Sequence, residues 1–245
     1  MSLRADIEAL AAMDRGSAGP GERASAGWCA ARLRQAGAVD VRIEPFTYQA
    51  TFGYVHAAHF AAATIGRVPA MGALFSFLLD YSGRAQPLRR LLPRGEGANV
   101  IARVPAGGER KRTLVLVAHH DAANTGLMWH PRLAPPARAN GVTPFSLGPE
   151  LAMLAIALGP RRLRAPARAV LVGVVALSLE VARGPTVPGA SDNASGVASV
   201  VALAGRFVGD PLPGTEVIVV LPGAEESGMG GMAAWLRGCV APCPP

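Results

Sequence analysis

Three short stretches hold residue types that do chemistry when brought together. The first is "LVLVAHHDAANTG" (114–126), where a strand-like apolar run ends in His119, His120 and Asp121. Side chains alternate along a strand, so His119 and Asp121 share one face and His120 takes the other. A ligating imidazole needs an acceptor on its second ring nitrogen, and the pattern H-x-D supplies both parts. Two histidines in a polar loop near a turn would look the same. The second stretch is "PGASDNASGVASVVALAG" (188–205), with Asp192 just before a small-residue helix start. A carboxylate there can ligate a cation, or simply favour the helix dipole by about 0.3–1 kcal/mol. The third is "VIVVLPGAEESGMGG" (217–231), in which a buried strand runs out into Glu225 and Glu226. Adjacent carboxylates against a dry strand end repel unless a cation or proton intervenes. A metal would supply that charge, with one glutamate as ligand and the other as general base to an attacking water. A solvated pair at a helix start is the other reading.

No stretch is specific alone, but each lies at the end of a strand or the start of the next helix. Together they offer His119, Asp192, Glu225 and Glu226, with Asp121 behind them. The elements that must position them follow from periodicity. Helices are expected over 4–14, 20–38, 193–208 and 228–238, and strands over 39–46, 98–104, 113–119 and 215–223. Strands alternating with helices argue for an α/β architecture, with a mixed, mostly parallel sheet flanked by helices. Two oily segments, 48–82 and 144–182, break this rhythm. Each reads as a pair of apolar helices joined by a basic turn, an inserted apolar helical hairpin. The arms hold only about 12–16 apolar residues, below the roughly 18–20 of a spanning helix. Buried helices, membrane-dipping hairpins and short spans extended by their flanks all fit.

Composition narrows the class. Of 245 residues, 50% are hydrophobic and 17% charged, enough to bury one sizeable domain. The net charge of +7 comes mainly from arginines grouped in "LRRLLPR", "GERKR" and "GPRRLRAPAR". A basic balance can mean nucleic acid or anionic lipid. No aromatic residues interleave with the arginines to stack bases, so no nucleic-acid partner is expected. Cys29, Cys239 and Cys243 form no disulfide framework, and the C-x-x-x-C at 239–243 lacks the second pair a zinc site needs. The opening "MSLRADIEALAAMDRGSAG" is broken by Asp6, Glu8 and Asp14 and is no signal peptide. The expected location is membrane-associated or cytoplasmic.

The ordered set "AHHDA", "GASDNASGVA" and "GAEESGMGG" resembles the three motifs of the M28 family of zinc metallopeptidases. The opening "RGSAGPGERASAGWCAARLRQAGAVDVRIEPF" is similar to that family's N-terminal region. The resemblance implies a phosphorylase/hydrolase-like fold of zinc-exopeptidase type, and a single M28-like domain over 1–245 with insertions at 48–82 and 144–182. It implies two zinc ions, a peptide substrate and aminopeptidase activity. Carried over by position, His119 matches the ligand of one zinc and Asp121 the carboxylate orienting it. Asp192 matches the bridging carboxylate, Glu226 a ligand of the second zinc, and Glu225 the general base. His120 fills the variable position. The family's two further ligands, an aspartate and a histidine beyond the glutamate pair, have no counterpart here. The chain therefore resembles a C-terminally incomplete member, and weak or absent zinc binding and little activity are expected of it. The alternatives are a membrane-associated, degenerate peptidase-like scaffold or binding protein, and a related hydrolase acting on a non-peptide amide.

Overall fold

The computed structural model describes residues 2–130 and 147–240. They divide into two compact units: residues 1–50, 94–123 and 186–245 form the first, and 51–93 and 124–185 the second.

The first unit contains four strands, β1 (Val39–Tyr48), β2 (Gly95–Val104), β3 (Gly107–Val117) and β4 (Pro213–Leu221), in the order β1-β2-β4-β3. The sheet is mixed, as expected, but it is not mostly parallel. The β1–β2 and β2–β4 pairings are antiparallel, and only β3–β4 is parallel. The reason lies in the link between β2 and β3. Only Pro105 and Ala106 separate them, too few for the crossover that parallel neighbours need. The chain reverses there, and β4 inserts between the two strands, parallel to β3 and antiparallel to β2. β3 also starts earlier than its apolar run suggests. Its first half, "GGERKR", is extended and solvent-facing, and Arg110 there pairs with Glu216 of β4 at 3.0 Å, with Arg103 of β2 on the same carboxylate.

Helices α1 (Leu3–Ala11), α2 (Pro20–Gln35) and, near the end of the described chain, the helix Ser195–Gly209 cover the sheet. Their apolar stripes meet the strands in one core that includes Leu10, Leu33, Val100, Val197, Val201, Val217 and Leu221. Cys29 sits in this core, its thiol pushed up to about 12 by burial, which leaves it an inert apolar filler.

The second unit holds α3 (Gly53–Thr64), α4 (Arg67–Tyr81), α5 (Gly148–Leu158) and α6 (Arg161–Val181). Residues 144–146 of the second oily segment lie outside the described residues. The four helices pack around Phe60, Ala70, Phe77, Met153, Ile156 and Leu171. Alanines at many contact positions let the backbones approach closely. Arg89 and Asp80 form a buried, bidentate pair at the far end of α4. Among the described residues no helix is long and apolar enough to cross a membrane. The spanning version of the oily segments is therefore not found.

The remaining helices, α7 (Ser195–Gly209) and α8 (Gly230–Val240), belong to the first unit and follow the second and third motifs. Cys239 is an exposed thiol on α8, and Cys243 lies outside the described residues.

Candidate functional site

The parallel pair β3–β4 decides where the site falls. Both strands end at the same edge of the sheet, so the residues that follow them, 119–121 and 222–226, emerge side by side. The turn Ala190–Ala194, with a cis Asp192–Asn193 peptide, delivers Asp192 to this edge just ahead of α7. His119 Nε2 lies 3.0 Å from Asp192 Oδ1 and 3.8 Å from Glu225 Oε2. One ligand atom each from His119, Glu225 and Glu226 can be chosen so that all lie within 4.8 Å of one another. All three motifs thus meet around one imidazole.

The site grades from dry floor to open mouth. Asp121 is fully buried, His119 and the glutamates are partly buried, and the Asp192 side chain is 78% exposed. His119 Nδ1 lies 3.3 Å from Asp121 Oδ1, and neither atom has a well-directed hydrogen bond. The other oxygen, Asp121 Oδ2, accepts from Ser17 Oγ at 2.6 Å and from the Glu226 backbone N–H at 3.1 Å. Asp121 therefore touches His119 and the glutamate loop at once.

The electrostatics are lopsided. Burial, then the charge of Asp121, pushes the Glu226 carboxyl up to about 7. Burial also raises Glu225, against the pull of His119. Burial draws the His119 imidazole down, but Asp121, Glu225 and Glu226 outweigh it and set it at about 9. Burial opposes ionisation of Asp121 as well, yet His119 and Ser17 hold it below the usual carboxylate range. Four carboxylates thus share one imidazole. A divalent cation would relieve that excess. An imidazole with carboxylates is a donor set zinc accepts, and the poorly satisfied Nδ1–Asp121 contact behind it is the arrangement that orients a ligating histidine. The residues fit a metal ion.

His120 takes no part in this cluster. Its ring is fully buried, with Nε2 donating to Ala98 O at 2.8 Å and Nδ1 accepting from Ser25 Oγ at 2.7 Å. Strand alternation sends it into the core, as its place in H-x-D implies.

The residues the motifs do not reveal lie in "RGSAGPGERAS" (15–25). Arg15, with no exposed surface, donates from Nη1 to His120 O at 2.9 Å and from Nη2 to Pro188 O at 2.8 Å and Gly189 O at 3.0 Å. One guanidinium ties the loop of His119 to the loop of Asp192. Gly189 has φ +57°, and a Cβ there would sit 2.7 Å from Arg15 Nη2, so only glycine permits that approach. The buried Glu22 carboxylate accepts from the N–H groups of Ala18, Ala98 and Ala224 at 2.7–2.9 Å, fixing the start of the glutamate loop. Asn99 of β2 holds the same loop through Gly223 N–H and Gly231 O. For Glu22 and Ser25 the signal in the sequence is a polar pair at the start of a helix whose following face is alanine and cysteine. Glu22 and Ser25, three apart, share that inward face.

Residues 168–240 match the model of Peptidase family M28, a stretch that includes Asp192, Glu225 and Glu226. Two of the three motifs that carry the resemblance, GASDNASGVA and GAEESGMGG, lie in this stretch, and AHHDA lies before it. The fold agrees. An aminopeptidase from Aneurinibacillus sp. strain AM-1 superposes with a TM-score of 0.51 at 13% identity, over 96% of this chain and 65% of that one. A zinc aminopeptidase from Bacillus subtilis gives 0.47 at 12% identity, over 96% and 64%. A Fimbriiglobus ruber glutaminyl cyclase gives 0.46 at 14% identity, over 92% and 45%. The chain thus spans less than two-thirds of the length of these proteins. No curated protein is significantly similar to it in sequence. The fold is similar to that of the Aneurinibacillus aminopeptidase, and residues 168–240 match the M28 peptidase family.

Proposed function

We propose that this protein is a metal-dependent peptidase that removes N-terminal residues from peptides. The observation carrying this reading is the meeting of His119, Asp192, Glu225 and Glu226 at the shared end of β3 and β4. His119, Asp192 and Glu226 would hold zinc, and Asp121 would orient His119. The three donors within 4.8 Å of one another are His119, Glu225 and Glu226, enough for one ion, while Asp192 joins this set through His119 at 3.0 Å. A zinc ion bound there supplies Lewis-acid polarisation of the substrate carbonyl and a more acidic water.

The protein's own groups do the rest. Glu225, partly buried and raised above the ordinary carboxylate range, would take a proton from the attacking water and return it to the leaving amine. Exposed Asp192 stands at the mouth, where a substrate's ammonium group would enter. The first unit would form the peptidase body, with the helices of the second inserted into its chain. Because nothing in a fold fixes the substrate, hydrolysis of a non-peptide amide is the competing assignment.

The test is turnover of leucyl-p-nitroanilide and of a blocked N-acetyl-leucyl analogue by the chain supplied with zinc. Release from the free-amine substrate alone, lost with chelator and in E225Q, is the expected result. Cleavage of both substrates would exclude an exopeptidase. Stoichiometric zinc binding with no turnover of either would favour the scaffold reading instead.

A further inference from the structure

The outer face of the second unit carries a pattern that peptide hydrolysis does not use. On α4, Val68, Met71, Phe75 and Leu78 recur at helical spacing on the side away from buried Ala70, Ala73 and Phe77. Val68 is 83% and Phe75 65% exposed. On α5, Leu151, Leu154 and Leu158 do the same opposite Met153 and Ile156. Arg67 Nε donates to Ala157 O at 2.8 Å, so the start of α4 lies beside the end of α5. The two stripes run side by side and antiparallel. Contiguous apolar surface of this kind marks an interaction site.

Charge is distributed along the same helices with one polarity. Arg168 Nε donates to Thr64 O at 2.9 Å, which brings the start of α6 to the α3–α4 turn. Arg67, Arg161, Arg162, Arg164 and Arg168 therefore gather at one end of the bundle, around Ile65, 73% exposed, and Leu158, 62% exposed. No Asp or Glu occurs in residues 51–79 or 151–179. The acids of these helices, Asp80, Glu150 and Glu180, sit at their opposite ends. Asp80 is neutralised by Arg89, and Glu180 caps the Leu127 N–H at 3.0 Å.

An apolar face with guanidinium groups gathered at one end complements a surface that is apolar within and anionic at its rim. Arginine stems lie along apolar surface while their heads reach phosphates. Protein partners with an apolar patch are common, but an apolar face beside a cluster of arginines with no acid among them fits a lipid headgroup layer. Helix length sets the depth. α4 and α5, of 15 and 11 residues, rise about 22 and 16 Å, well short of a hydrocarbon core about 30 Å thick. We propose that the α4–α5 face, with the arginine-lined turns beside it, docks this protein on an anionic phospholipid bilayer, entering one leaflet without spanning it. The inference is independent of any peptidase activity.

The test is co-flotation of the full chain with vesicles of phosphatidylcholine alone, or of equal parts phosphatidylcholine and phosphatidylglycerol. Binding is expected to the anionic vesicles, weakening as salt rises. Each arginine near a charged surface is worth about a fivefold change in partition, so R161E/R162E should lose more than tenfold. F75D/L158D should lose binding even at low salt. Both variants change exposed side chains and should keep the wild-type circular dichroism and melting curve; if either does not, the salt dependence and the two-vesicle comparison of the wild type decide. K111E/R112E, on exposed β3, should bind as the wild type does. Three results would overturn the proposal: equal loss in K111E/R112E, which means unspecific basic attraction; no preference for anionic vesicles; or a concentration-dependent dimer that F75D/L158D dissolves without vesicle binding, which gives the face to a second copy.

Discussion

Glu225 and Glu226 are neighbours in sequence that face the same imidazole, yet they are held differently. The backbone of Glu226 is pinned by Asp121 at 3.1 Å, whereas the Glu225 carboxylate approaches His119 only to 3.8 Å. That looser approach suits a base that must reach a water. E225Q should therefore lower kcat about 10²–10⁴-fold while zinc affinity, read by isothermal titration, changes only a few-fold. A parallel collapse of affinity would make Glu225 a ligand, as its place in the three-donor cluster also permits. Asp121 acts one layer further back. D121N keeps the shape but removes the charge opposite His119 Nδ1, and a loss of about 10–100-fold in zinc affinity is expected. Unchanged affinity in D121N would remove Asp121 from the role of orienting group.

At the scale of elements, the beginning of α2 and the turn before it do more than cover the sheet. Arg15, Ser17, Glu22 and Ser25 reach all three site loops. R15A would strand the carbonyls of His120, Pro188 and Gly189 without their donor in a dry interior. A destabilisation of about 2–4 kcal/mol follows, visible in urea unfolding. R15K should recover little, because one ammonium cannot fork between two loops as a guanidinium does. If R15K matched the wild type in stability and zinc affinity, the bridging role would be refuted.

These elements also show what the sequence disclosed and what it hid. Every strand and helix of the first unit was legible from periodicity, and so were the polar groups at the strand ends. Periodicity is local, and it carries no record of which strand lies beside which. The mostly parallel sheet was inferred from alternation, but "PAGGERKR" has no room for a crossover, and that length was the better guide. The early start of β3 was hidden because charged residues at an open edge look like loop. The role of Arg15 was hidden for another reason. A fully buried arginine whose terminal nitrogens meet backbone carbonyls has no sequence signature, since its partners lie over a hundred residues away.

For the molecule as a whole, Glu22 connects the site's architecture to the pH dependence of folding. Its carboxyl is pushed from an ordinary 4.5 up to about 7, by burial and then by the charge of Asp121, against three backbone N–H bonds. A carboxyl whose folded value is raised binds its proton more tightly in the native state than when unfolded. Stability is thus greatest below about pH 4.5 as far as Glu22 is concerned, and falls as pH rises through the window from 4.5 to 7. The fall amounts to roughly 3 kcal/mol over that window. Asp121, held low, contributes with the opposite sign but at more acidic pH. Urea unfolding in chelator across pH 4.5–8 removes zinc from His119 and the glutamates; the raised Glu225 and Glu226 lose stability in the same direction in wild type and E22Q alike, so the difference between the two proteins reports Glu22. A W129F background leaves Trp28 and Trp235, both in the first unit, as the fluorescent reporters. E22Q cannot ionise, so whatever its overall loss from mispaired N–H groups, its stability should lack this slope. The wild-type curve should converge downward on that of E22Q as pH rises towards 7. Parallel curves would mean that Glu22 folds with an ordinary carboxyl and does not store this charge in the core.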